Sequence, residues 1–147
     1  MDEIWENIKS VEVTLPLDVV KEFSDSFNKT FEGKCEMQLI KQNQNVISAY
    51  VGQPTGPRQN VKTEIFLKIV APMLNGYTLS ILSVVYDMST VYPCRLTDDL
   101  NSKLYVCGSS QELHDRIVEI IKSEKFVKSA SMILTQVNKE SERSFEG

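Results

Sequence analysis

"VKTEIFLKIVAPMLNGYTLSILSVVYD", residues 61–87, is the stretch on which the fold turns. Its first run alternates, with Val61, Ile65, Leu67 and Ile69 on one side and Lys62, Glu64 and Lys68 on the other. A period of two puts successive side chains on opposite faces of a strand, one buried and one in water. The second run, "YTLSILSVVYD", is rich in β-branched and aromatic residues, which fit a pleated surface. Between them lies "APMLNG", in which Asn75-Gly76 supplies the positive φ angles that a tight hairpin requires. The stretch therefore predicts an antiparallel hairpin.

Upstream, "CEMQLIKQ" and "NVISAYVG" read as two short strand-like runs separated by Asn and Gln. Downstream, "VYPCRL" and "KLYVC" flank the polar turn "TDDLNS". Pro93 has no N–H for a ladder, so its strand is an edge or begins after the proline. Sheet residues thus span about 35–107, in five or six strands.

Helical patterns bracket the sheet. Residues 1–10 can form a short helix presenting Ile4, Trp5 and Ile8. In "TLPLDVVKEFSDSFNKTFEG", Pro16 suits a first turn, Asp18 the positive end of the helix dipole, and Gly33 a C-terminal stop. Val20, Phe23, Phe27 and Phe31 recur at helical spacing and predict one buried stripe. After the sheet, Ser109 and Glu112 have capping-box spacing ahead of Leu113, Ile117, Ile120 and Ile121. Ser123 caps a last helix carrying Phe126, Ala130, Ile133, Leu134 and Val137. Residues 139–147 read as a polar, disordered tail. Helix, strands, then helices make an α+β domain over residues 1–138: an antiparallel sheet packed against an N-terminal helix and two C-terminal helices. Strands that do not alternate with helices argue against a doubly wound sheet.

The 147 residues, 41% hydrophobic and 24% charged, have the composition of a globular domain. A net charge of −4 disfavours broad nucleic-acid affinity. The opening "MDEIWENIKS" lacks the basic start and apolar core of a signal peptide, and no apolar run nears the roughly 18 residues of a bilayer span. Cys35, Cys94 and Cys107 are odd in number and widely spaced, which fits reduced thiols. The expectation is a cytoplasmic protein with no membrane association.

Catalytic patterns fail on spacing. His114 is the sole histidine, and Asp115, its neighbour on a helix, projects about 100° away and cannot readily orient it. Zinc would want paired ligands two to four residues apart, and neither C-x-x-C nor H-E-x-x-H occurs. Glu64 and Lys68 lie roughly 13 Å apart along an extended strand, too far for one metal site. Asp98 and Asp99 sit in a turn, where Asp serves the backbone. No catalytic residue, metal or cofactor is assigned.

"VGQPTGPRQNVKTE", residues 51–64, has neither phosphate-loop nor dinucleotide glycine spacing, and Pro54 and Pro57 remove two donors a phosphate nest needs. What remains is a connection between strands, or a stiffened contact loop in which Tyr50, Arg58 and Lys62 meet a ligand or partner. The leading functional expectation is a non-enzymatic binding module (adaptor, inhibitor or immunity-type) acting on another protein through a surface. Alternatives are a receptor or sequestering protein for a small anionic ligand or nucleotide, using the 50–62 loop, and an enzyme of unrecognised type. Sequence leaves the oligomeric state open.

Overall fold

Asn75 (φ 57°) and Gly76 (φ 72°) turn the chain where the hairpin reading requires it, after a single 3-10 turn at Pro72–Leu74. The computed structural model describes residues 2–9, 12–47 and 59–146. Two helices, α1 (Asp2–Lys9) and α2 (Pro16–Thr30), lead into strands β1 (Glu36–Ile47), β2 (Gln59–Ala71), β3 (Tyr77–Asp87), β4 (Cys94–Asp98) and β5 (Lys103–Cys107). Helices α3 (Ser110–Lys122) and α4 (Glu124–Glu146) follow. The strands form one antiparallel sheet in sequence order, β1-β2-β3-β4-β5, so the fold is α+β.

The alternation in β2 is realised. Thr63, Ile65, Leu67, Ile69 and Ala71 are buried beneath the helices, while Lys62 points into solvent. In β3 the pairing slips between Leu67 and Lys68 of β2: Leu67 faces Leu82, but Lys68 faces Ser80. Ile81 is the extra residue of this bulge, and both Ile81 and Leu82 are buried. Leu96 of β4 faces Val84 across the next ladder. Leu113, Ile117 and Ile120 of α3 and Phe126, Ile133 and Val137 of α4 join these strand residues in one apolar core.

Local signals at the element ends are satisfied. β4 begins at Cys94, directly after Pro93. Ser109 Oγ accepts the Glu112 N–H at 3.2 Å, and the Glu112 carboxylate reaches back to the Gly108 N–H, one residue before the usual capping-box partner. Ser123 Oγ accepts from the Phe126 N–H. Gly33 takes φ +80° in the turn after α2.

Three expectations change. The runs "CEMQLIKQ" and "NVISAYVG" are not separate up to Ile47. Gln42, Asn43, Gln44 and Asn45 pair residue by residue with Glu64, Thr63, Lys62 and Val61, making β1 one continuous strand. Ladder pairing outweighs the poor strand propensity of Asn and Gln here, and five strands are present among the described residues. Second, Phe23, Phe27 and Phe31 are only half-buried, because α2 turns Val19, Val20 and Ser24 onto the sheet instead. Third, α4 continues through the polar stretch expected as a tail, as far as Glu146, with ion pairs at i,i+3 between Arg143 and Glu140 (2.9 Å) and between Lys139 and Glu142 (4.0 Å).

Truncating Leu67, 1% exposed at the centre of the sheet, leaves a cavity that neighbouring strands cannot fill. Leu67→Ala is expected to lower stability by about 2–5 kcal/mol in urea unfolding. A loss below about 0.5 kcal/mol, the size of a typical surface change, would contradict the face assignment.

Candidate functional site

The half-buried phenylalanines of α2 are the starting point. Phe23, Phe27 and Phe31 recur every fourth residue and so form one ridge. Opposite them stand Phe126, Ala130 and Leu134 of α4, again four apart, with Val127 and Ser131 alongside. Both α2 and α4 pack against α3, and α4 also packs against the 3-10 turn. The two ridges line a groove of about 410 Å³, floored by Met37 of β1 and Ile121 of α3.

Groove geometry is held by specific contacts. The rings of Phe27 and Phe31 lie 4.7 Å apart, and Phe23 stacks at a tilt on His114 at 5.1 Å. Asn28 grips the outer edge of β1 with both ends of its amide: Oδ1 accepts the Met37 N–H at 2.6 Å, and Nδ2 donates to the Met37 carbonyl at 3.1 Å. One side chain thus stands in for a neighbouring strand and locks α2 beside Met37. In the turn beyond α2, the Lys34 ammonium donates to Asn138 Oδ1 on α4. Thr30 at the rim donates to the carbonyl of Ser26, within its own helix. The groove is apolar inside, with a hydroxyl-bearing lip.

Sequence reasoning took the phenylalanine stripe for core and gave Asn28 no role. Both outcomes depend on how the helices are placed over the sheet, which helical periodicity does not encode. The only prior signal was excess: α2 carries more large apolar residues than one face can bury.

Of the three expected contact residues, Lys62 is described and stands elsewhere. Tyr50 and Arg58 lie outside the described residues. Lys62 is exposed on β2, opposite Gln44 of β1 and Asp87 of β3. It helps hold the Asp87 carboxyl below the usual range, after the larger effect of hydrogen bonds from Ser89. Met37 pairs with Ile69, seven residues along β2 from Lys62, so Lys62 and the groove are about 23 Å apart.

Other polar side chains serve the fold. Asp98, 2% exposed, accepts from the backbone N–H groups of Leu100 and Asn101 at 3.0 Å and from Asn101 Nδ2 at 2.8 Å, which builds the β4–β5 turn. Its neighbour Asp99 has its carboxyl pushed up by partial burial and by that adjacent carboxylate. His114 Nδ1 is 3.6 Å from Asp115, too long for a hydrogen bond, and this buried nitrogen has no hydrogen-bond partner. Cys94 and Cys107 face each other directly across β4 and β5, both buried and free, and Cys35 is also a buried free thiol. Burial, then the neighbouring Cys107, pushes the Cys94 thiol up to about 12. Among the described residues, no three His, Cys, Asp or Glu side chains stand together as a metal site would require, and no helix is long and apolar enough to cross a membrane.

Comparison with family models, with curated proteins and with solved structures gives no match for this chain.

The thiols yield a test with a definite sign. All three are expected to react with a thiol reagent in denaturant without prior reduction, and to resist it in the native state, where all are buried. Cys94 titrates near 9.0 when unfolded and about 12 when folded. The folded value is the higher, so its contribution is complete below pH 9 and declines as pH rises toward 12. Urea midpoints measured from pH 8 to pH 11 should fall, and should fall less in Cys94→Ala.

Proposed function

We propose that this chain is a non-enzymatic binding module that acts on another protein, and that its binding surface is the groove between α2 and α4. The observation carrying this reading is the pair of facing apolar ridges, Phe23-Phe27-Phe31 and Phe126-Ala130-Leu134, left apart over an apolar floor. Apolar surface concentrated in one concavity and rimmed by polar side chains is the usual mark of a docking site. Its two helical walls and open length suit an amphipathic helix, whose anchors at i, i+3, i+4 and i+7 lie along one such trough. Rim hydroxyls already bonded within their own helix, like that of Thr30, ask little of a ligand in directed hydrogen bonding.

The anionic-ligand alternative rests on the 50–62 loop, and Lys62 is its one described contact residue. Lys62 sits beside the Asp87 carboxylate, which offsets the positive charge an anion would seek. Charge balance there supports the groove reading over the loop reading.

A titration of the ¹⁵N-labelled chain distinguishes them. The first probe is a synthetic amphipathic helical peptide with Leu and Phe at i, i+3, i+4 and i+7. The second is inorganic phosphate. Peptide-induced shifts are expected at α2, α4 and Met37. Val127→Asp, placing a charge on a groove wall residue that is 52% exposed, should weaken the peptide at least about tenfold. Phosphate shifts centred on Lys62, with the groove silent to the peptide, would transfer the function to the loop.

A further inference from the structure

Helix α1 carries the complementary shape. Its Ile4, Trp5 and Ile8 are 63%, 56% and 65% exposed and fall on one side of the helix. Glu3 and Glu6 are also exposed, so α1 is amphipathic and acidic. Eight residues make a helix too short to be stable alone in water, so α1 needs a surface against which to bury its apolar side. The same chain provides the apolar groove between α2 and α4. We infer that α1 of one molecule seats Ile4, Trp5 and Ile8 in the α2–α4 groove of a second copy, and that the exchange runs both ways in a symmetric dimer. The inference rests on the groove being a helix-binding surface and names this chain as its partner.

The tether decides between a molecule's own groove and that of a second copy. The Tyr92 hydroxyl donates to the Thr14 carbonyl at 2.7 Å, which fixes the chain just before α2. From Thr14 back to Lys9 the chain can extend at most about 18 Å. Phe27, at the middle of the α2 ridge, lies about 20 Å from Thr14 along the helix. Centring α1 over Phe27 of its own chain brings Lys9 to about 15 Å along α2, offset sideways by a helix-packing distance of about 8–10 Å. That path uses nearly the whole reach and draws the tether taut, at a cost in backbone freedom. A second copy can present its groove at any distance the tether favours. Reciprocal insertion also covers two α1 faces and two grooves through one two-fold interface.

Trp5 is the only tryptophan, so its emission reports α1 directly. Fluorescence and sedimentation equilibrium are followed on the full chain from micromolar to near-millimolar concentration. The expected result is a blue shift of Trp5 that grows with concentration and tracks dimer formation. Ile4→Asp/Ile8→Asp, at two exposed positions that leave the core intact, should keep the circular dichroism spectrum, abolish the shift and raise the dimer dissociation constant at least about tenfold. Val127→Asp should do the same from the groove side. A blue shift independent of concentration in a sedimenting monomer would place α1 on its own groove and overturn the inference. Solvent-exposed emission at every concentration would overturn it too. In either case the Ile4→Asp/Ile8→Asp variant is titrated with the synthetic amphipathic peptide. Peptide binding then shows that the groove reading stands without the exchange, and absence of binding removes both.

Discussion

A single extra residue in β3 sets which side chains of the middle strand enter the core. With Leu67 opposite Leu82 and Lys68 opposite Ser80, Ile81 is left without a partner residue on β2, and its carbonyl is taken by the Asp99 N–H at 2.9 Å. The slip changes which parity of β3 faces inward, so Leu79 on one side of the bulge and Leu82, Val84 and Tyr86 on the other all join the core. A regular strand would have turned either Leu79 or the other three to water. β3 is the middle strand of five, and the bulge bends it locally between its pairings with β2 and β4.

Much of this architecture could be read from residues close together in the chain. Asn75-Gly76, the Ser109 cap, the Ser123 cap and the break at Pro93 each act within a few residues, so each was legible before the fold was known. The bulge was not, since "SILSVV" is apolar enough to suit either face. Nor was the continuity of β1, where neighbours on β2 rather than local propensity hold Gln42–Asn45 in the strand. The site was hardest to see. Phe23, Phe27 and Phe31 have the spacing of core residues, and their partial exposure arises because Val19, Val20 and Ser24 occupy the sheet instead. Among the residues singled out beforehand, Lys62 lies on β2 far from the groove. Asn28, which positions one groove wall, looked like an ordinary polar residue near the end of a helix.

Several polar groups inside the molecule are spent on structure. Asp98 organises the β4–β5 turn, Asn28 completes the edge of β1, and Thr63 meets Asn43 at 3.2 Å in the β1–β2 ladder. Edge strands are open to pairing with other chains unless something blocks them, and the amide of Asn28 does so at Met37. On the other edge, the Arg116 guanidinium lies 4.7 Å over the Tyr105 ring and ties α3 to β5. The groove, by contrast, is apolar and concave.

The order of the strands carries a kinetic meaning. Every ladder joins consecutive strands, so no β-pairing waits on the closure of a long intervening segment. Sheets built this way have low sequence separation between contacting residues and fold quickly for β-rich proteins. The hairpin at Asn75-Gly76 can form first, with β4 and β5 adding on one side and β1 on the other. The distant junctions are those that bring α2 to α4, such as Lys34 with Asn138, 104 positions apart. The walls of the groove are thus among the last parts of the molecule to meet, and their apolar ridges stay uncovered longest during folding.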